Sequence, residues 1–260
     1  MELRSANLDT SDIDNIFYRL STISTGTVLD VGTGEGEFIR VLMKTLKAYN
    51  SFVAIDIDAK GLSKAKRTFK RDLVEFSEMN AEKLSFDDDY FDLVCMADSL
   101  HHLENPKDVL REIKRVLKPG GLFILQEMYS DEKQKESQIS EVLVHGFAAE
   151  IDSLRGIYHR IPFTSQEIVE MVKNNEFTEL EIFKSAISPK CALCKYLDSC
   201  TDPMLKRNIN KGLNEIRAAL RKIKETPSYS DFKHRATGLR KRIREHGYSY
   251  ASIIFIISQK

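Results

Sequence analysis

Thr27-Val28-Leu29-Asp30-Val31-Gly32-Thr33-Gly34-Glu35-Gly36 decides the fold class of this chain. A short β-branched run, broken only by an acid, ends in a turn carrying three glycines. Phe38, Val41, Leu42 and Leu46 follow at helical spacing. The pattern predicts a strand, a glycine-rich turn and a helix, which together aim backbone N–H groups and a helix N-terminus at a ligand. The spacing is not the G-x-G-x-x-G of dinucleotide binding. The third glycine comes one residue early, and Glu37 stands where that pattern wants glycine. Taken alone, the turn is a weak signal that a plain strand-to-helix connection also produces.

Working outward, the same alternation recurs. Phe52-Val53-Ala54-Ile55-Asp56 is a second apolar run ending in an acid, and Phe91 to Met96 is another strand. Val109, Leu110, Ile113, Val116 and Leu117 mark a helix over 105–117, with Pro106 in its first turn and Lys118-Pro119-Gly120-Gly121 stopping it before the strand Leu122 to Leu125. Residues 131–155 read as one long helix or two. Thr164-Ser165-Gln166-Glu167 is a capping box opening a helix to about Asn174, and strands follow over 177–182 and 250–258. Strands alternating with helices imply parallel βαβ units and a sheet covered on both faces. Between the last two strands lies a segment, 187–247, with two amphipathic helices and three of the four cysteines.

The glycine turn has companions. Asp56 closes the second strand about twenty residues on, where a carboxylate can accept two hydrogen bonds from a ribose diol. Asn80-Ala81-Glu82 and Ala97-Asp98-Ser99-Leu100-His101-His102 also fall at carboxyl ends of predicted strands, where open α/β sheets bind ligands. Residues 27–36, 54–58, 80–86 and 91–127 together resemble the class I S-adenosylmethionine-dependent methyltransferases, nearest the small-molecule branch called type 11. The resemblance spans residues 25–130, and more loosely 160–186 and 248–260. It implies a Rossmann-like α/β sheet with helices on both faces and a helical, cysteine-containing insertion before the last strand. The expected division is a core over 1–186 with an N-terminal helix and lid helices, the insertion over 187–247, and the core's last strand over 248–260.

The resemblance also implies roles. Gly32, Thr33, Gly34 and Gly36 would pass under the methionine part of S-adenosylmethionine, with Asp30 orienting its amino group. Asp56 would hold the ribose hydroxyls and Ile57 would lie beside the adenine. Asn80 and Ala81 would meet the adenine edge, with Glu82 alongside. Ala97 would lend a carbonyl near the amino group, and His102 would face the cofactor. Many relatives have Asp where this chain has Asn80, so the adenine contact here is a neutral amide.

Composition bounds the rest. The chain has 260 residues, 42% hydrophobic and 30% charged, with 39 basic and 39 acidic residues. That suits a soluble globular protein, and zero net charge gives no global pull toward nucleic acid or membrane. There is no run of membrane-span length and no signal-peptide profile at Met1 to Ser5, so the expected setting is cytoplasmic with reduced thiols.

Methyl transfer from a sulfonium needs positioning more than acid–base work, so catalytic candidates are few. They are His102, Tyr129 just after the fifth strand, and His145 and His159. His145, Asp152 and His159 recur at seven-residue intervals, which puts His145 and Asp152 on one helix face. Gly156 is expected to break the helix before His159. Cys191-x2-Cys194-x5-Cys200 offers three thiolates for zinc or an iron–sulfur cluster, needing a fourth ligand such as His159, Asp198 or His234; Cys95 reads as packing. Otherwise these are plain loop thiols.

Lys190 to Glu245 holds fifteen Lys or Arg against six Asp or Glu, so about +9, and the remainder is about −9. This asymmetry suits solvated helix faces, docking on an acidic surface, or an anionic acceptor. RNA is disfavoured because few aromatics interleave with the basic residues. Three functions compete: a small-molecule methyltransferase, a non-catalytic cofactor-binding module with the insertion as interaction surface, and an RNA methyltransferase. The first expects a closed pocket over Gly34 and His102 built from 130–165; the third expects an open basic mouth. The insertion is expected to dock beside the active-site mouth or across a homodimer.

Overall fold

A computed structural model describes residues 11–69, 74–131, 134–193 and 202–260. Helix α1 (Ser11–Thr22) precedes strand β1 (Thr27–Val31) and helix α2 (Glu37–Thr45). Strand β2 (Ser51–Asp56), helix α3 (Ala59–Thr68) and strand β3 (Val74–Glu78) follow. Strand β4 (Phe91–Ala97) leads through a 3-10 turn, Leu100–His102, to helix α4 (Pro106–Val116) and strand β5 (Leu117–Met128). The 118–121 segment expected to separate the last two is counted within β5.

Helix α5 (Glu136–Leu154) is one unbroken helix, and α6 (Ser165–Asn174) opens on the expected capping box at Thr164 and Glu167. Strand β6 (Thr178–Ser185), the short helix α7 (Pro189–Ala192), helices α8 (Lys206–Arg221) and α9 (Tyr229–His246), and strand β7 (Ile253–Gln259) complete the order.

The seven strands form one sheet in the order β3-β2-β1-β4-β5-β7-β6. β1 to β5 pair in parallel, whereas β7 is antiparallel to both β5 and β6. Wholly parallel units are thus a correct expectation for the first five strands only. The register carries a consequence. Met128 and Ser185 both lie level with Ile253. The chain therefore leaves β6 and re-enters β7 at the carboxyl end of the parallel strands, so the insertion starts and ends at the glycine-loop end of the sheet.

Period-2 alternation sorts the sheet's two faces. Along β4, Val94 and Met96 pack with α4 and α6 through Val109, Ile113, Ile168 and Val172. Leu93 and Cys95 face the other way, onto α1 and α2 through Ile16, Leu20, Ile39 and Leu42. A third cluster joins α5 to α8 and α9 through Val144, Phe147, Ile151, Ile216, Leu220, Phe232 and Ile243. The insertion's apolar stripes are buried there, within the same chain.

Gly36 is the residue before α2 and sits at φ +79°, where an added Cβ would lie 2.5 Å from Phe69. Gly36→Ala is expected to destabilise the chain by about 1–2 kcal/mol from the left-handed backbone alone. Gly238→Ala, in α9 with open space around it, should instead stabilise by about 0.5–1 kcal/mol. Urea midpoints of the two variants check both signs.

Candidate active site

The glycine loop closes one side of a cavity of about 450 Å³ at the carboxyl ends of β1 and β4. Gly32 and Gly34 lie at φ +71° and +52°. A Cβ on Gly32 would strike Ser99, whereas Gly34 faces open space. Ser99 Oγ donates to the carbonyls of Gly32 and Ala97, tying the loop to the end of β4.

The cavity wall is acidic: Asp30, Glu35, Glu37 and Asp98 face it, with Lys190 as the opposing cation. Asp30 is buried and accepts hydrogen bonds from Thr33 Oγ1 and Cys95 Sγ. Burial raises its carboxyl to about 6, with nearby Asp56 adding to the rise against those two donors. Asp98 is also raised to about 6, by burial first and then by Glu127, with Lys190 opposing. Asp98 holds φ +49° and accepts from Gln126 Nε2 at 3.2 Å.

Asp98, Gln126, Glu35, Glu37 and Lys190 are cavity residues that the motif reading did not single out. The carboxyl-end position of Asp98 is legible in sequence; the arrival of Lys190 from the insertion is not. Its ammonium pairs with Glu37 Oε2 at 2.8 Å. Burial alone would lower the Lys190 pKa, but Tyr250, Glu37 and Asp98 outweigh it and leave it raised.

Asp56 ends β2 as expected, and its carboxylate accepts from Gly34 N at 2.7 Å and Asp58 N at 2.8 Å. It therefore fastens the glycine loop to β2 while retaining acceptor capacity on both oxygens. Ile57 is 73% exposed beside it. Asn80 Oδ1 accepts from Glu82 N, which shapes the turn at 80–82 after β3, with Ala81 between them half-buried.

Four of the chain's six histidines meet at the far side of Asp98. His101 and His102 come from the 3-10 turn, His145 from the middle of α5, and His159 from the loop after it. The helix ends at Leu154 and Gly156, at φ +73°, follows in the turn before His159, as expected. His159 Nδ1 meets Asp152 Oδ2 at 3.1 Å, and its Nε2 meets His145 Nε2 at 2.9 Å. His101 Nδ1 meets Glu127 Oε1 at 2.9 Å. The His102 ring lies 4.2 Å from that of His159 and 4.3 Å from that of His101.

Burial is the largest influence on all four imidazoles and opposes their charging. With the neighbouring imidazoles it takes His102 down to about 3 and His145 to about 2. His159 is lowered, whereas Glu127 overcomes burial at His101 and leaves it raised. His102 is exposed, but it is not among the residues that line the glycine-loop cavity. His145 and His102 are therefore neutral at pH 7 and present lone pairs.

Other candidates fall elsewhere. Tyr129 is 5% exposed and packs in the apolar core under α6, with the Lys184 ammonium 5.6 Å from its ring; it does not line the cavity. Cys191 is buried at the start of the insertion, whereas Cys194, Asp198 and Cys200 lie outside the described residues. His234, on the exposed side of α9, is also placed apart from the histidine group.

The basic insertion meets an acidic helix. Arg242 pairs with Glu136, Arg235 with Glu150 and Lys222 with Asp152, all on α5, while Lys211 lies 4.0 Å from Glu141. Part of the charge asymmetry is thus matched inside the chain.

Comparison with known proteins agrees with this geometry. Residues 29–125 match the family described as "Methyltransferase domain", type 11. Over 114 residues the chain is 39% identical to the ubiquinone/menaquinone biosynthesis C-methyltransferase UbiE of Pseudomonas savastanoi pv. phaseolicola. That match covers 42% of this chain and 44% of the relative, so the chain spans less than half the length of the curated relative it matches.

Among solved structures, a methyltransferase candidate from Bacillus halodurans superposes with a TM-score of 0.57 at 19% identity, covering 96% of this chain and 99% of that one. Phosphoethanolamine N-methyltransferase 2 of Haemonchus contortus, in complex with S-adenosyl-L-methionine, gives 0.55 at 18% identity, covering 97% and 52%. The fold is the Rossmann-like fold of class I methyltransferases. Within that fold, residues 29–125 carry the match to the type 11 methyltransferase domain family.

Proposed function

We propose that this protein transfers the methyl group of S-adenosylmethionine to a small molecule held at the histidine end of the cleft. The observation that carries this reading is the acidic cavity under the left-handed glycine loop. Four carboxyl groups against one lysine suit a ligand bearing ammonium and sulfonium charge and repel a dinucleotide pyrophosphate. When bound, the cofactor supplies a methyl group already activated by the sulfonium.

The residues then divide the work. Asp30 and Asp98 balance the ligand's positive charge, and Lys190 offers a partner for its carboxylate. Asp56 accepts from the ribose hydroxyls, and exposed Ile57 covers the adenine with Asn80, Ala81 and Glu82 at its edge. His102, packed beside His159, orients the acceptor by accepting a hydrogen bond. Neutral imidazoles whose charging is so disfavoured serve better as acceptors than as proton stores.

A small acceptor is supported by α5 and the loop after it, which lay His145 and His159 over His102. Ile157, Tyr158 and Ile161 on that loop are exposed and give it an apolar rim. The pairing of insertion cations with α5 carboxylates weighs against a continuous basic mouth for RNA. An internal role also accounts for the insertion without a homodimer. Since Lys190 lines the same cavity, removing the whole insertion should disturb cofactor binding.

The reading is tested by incubating the protein with methyl-labelled S-adenosylmethionine and either a metabolite library or total RNA. Label is expected in a small molecule and absent from RNA. Label in RNA, or no cofactor binding at all, would overturn it.

The raised carboxyls add a pH signature. A cationic ligand binds Asp30 and Asp98 in their ionised forms, so protons compete with it below about pH 6. Affinity for S-adenosylmethionine is expected to be flat above about pH 7. Below about pH 5.5 it should fall by up to about tenfold per pH unit for each group that must ionise. Calorimetry across pH 5 to 8 reads this directly; a flat profile would remove both carboxylates from the charge balance.

A further inference from the structure

We infer that His101, His145 and His159 form a binding site for a divalent transition-metal ion of the zinc class, beside the acceptor end of the cleft. One ring nitrogen from each of the three lies within 4.8 Å of the others. The ligands come from three separate segments: the turn after β4, the middle of α5 and the loop behind it. Convergence of an uncommon residue type from distant positions is not what solvated histidines show. No single helix periodicity produces it.

The partners behind the ring nitrogens strengthen the assignment. His101 gives Nδ1 to Glu127, and His159 gives Nδ1 to Asp152, at 2.9 and 3.1 Å. Each carboxylate fixes the tautomer with the proton on Nδ1 and leaves the Nε2 lone pair for an ion. Metal-binding imidazoles are held in this way, with the outer nitrogen on a carboxylate. Glu127 is fully buried, and its ion-pair partner among the described residues is His101 alone. A cation held by that imidazole would balance the buried negative charge.

Distances also suit. Zinc–nitrogen bonds of ~2.0–2.1 Å place tetrahedral ligand nitrogens ~3.3 Å apart. The His145–His159 pair stands at 2.9 Å, joined by one shared proton that an ion would replace. His101 brings the third nitrogen, within 4.8 Å of the other two. Three neutral nitrogen donors without a thiolate select zinc or a neighbouring divalent ion over calcium or magnesium, and leave a fourth position open. His102, whose ring is 4.2 Å from that of His159, flanks that position. The expected occupant is water or an anionic oxygen, nitrogen or sulfur of the acceptor. Only this last clause rests on the proposed methyl transfer; the ion site itself does not.

The experiment uses the full chain without a histidine tag, stripped with chelator and titrated separately with zinc chloride and cobalt chloride. Close to one zinc per chain is expected by elemental analysis after desalting. Cobalt should give the visible absorption of a low-coordinate imidazole site. His145→Ala and His159→Ala should each weaken zinc by at least about 100-fold, and Asp152→Asn by about 10- to 100-fold.

A variant with Cys191, Cys194 and Cys200 all changed to Ser should keep its histidine-bound zinc. S-adenosylhomocysteine calorimetry on each histidine variant reports separately whether the fold and cofactor cavity survive. Zinc retained by both histidine variants, zinc lost only with the cysteines, or no zinc bound by intact protein would each overturn the site. Failure to bind S-adenosylhomocysteine would instead count against the methyltransferase reading and leave the metal result standing.

Discussion

Asp56→Ala is expected to weaken S-adenosylhomocysteine binding by ~1.5–3 kcal/mol, roughly 10- to 150-fold. Two losses combine. The first is the charge-assisted acceptor at the end of β2, proposed to hold the ribose diol. The second is internal, since the same carboxylate receives the Gly34 and Asp58 amides at 2.7 and 2.8 Å. Without it, the loop must be ordered by the ligand. Asp56→Asn separates the two: its amide oxygen still accepts one backbone bond but brings an N–H pair toward the other amide. It should fall between wild type and Ala. Calorimetry on the three proteins decides; unchanged affinity in Asp56→Ala would sink the proposed cofactor pose.

The largest stability effect is expected at Glu127. This carboxylate is fully buried and receives Leu100 N at 2.8 Å, His101 Nδ1 at 2.9 Å and Met128 N at 2.9 Å. It joins the end of β5 to the turn that carries His101 and His102. Glu127→Ala leaves two buried donors and one half-buried donor without that acceptor and should cost about 3–5 kcal/mol. At about 2–4 °C per kcal/mol for a chain of this size, Tm should drop by about 10 °C. Glu127→Gln keeps the volume and one acceptor oxygen and should lose less. A Tm within about 2 °C of wild type for Glu127→Ala would show that solvent reaches these donors.

The difference between these two acids marks what a linear reading can find. Asp56 was legible because it closes an apolar run at a set distance from a glycine turn. Glu127 also closes a strand, but nothing local says that it meets residues 100 and 101. That contact depends on β4 and β5 lying side by side with Ala97 level with Gln126. Tyr129 shows the reverse error: a polar-tipped aromatic after a strand reads as a site residue, yet its ring faces the core. Period-2 direction at a strand end is ambiguous until packing fixes it.

His145 and His159 were legible as a spaced pair with Asp152, because seven residues nearly complete two helical turns. Their meeting with His101 was not, since the turn and α5 are distant in sequence. The insertion was recognisable by length, charge and amphipathic spacing. That its cations pair with α5, and that Lys190 enters the cavity under the glycine loop, follow from the antiparallel placement of β7.

The sequence by itself determined the strand–glycine–helix unit, the acids at strand ends and the alternation of strands and helices along the chain. Each of these is set by local backbone freedom or by a hydrophobic period a few residues long. Only the tertiary structure decided which carboxylate backs which imidazole, and that four histidines share one place. It also decided that the insertion starts and ends at the glycine-loop end of the sheet. Those outcomes depend on strand order and register, which bring together residues far apart in the chain through contacts that no local pattern encodes.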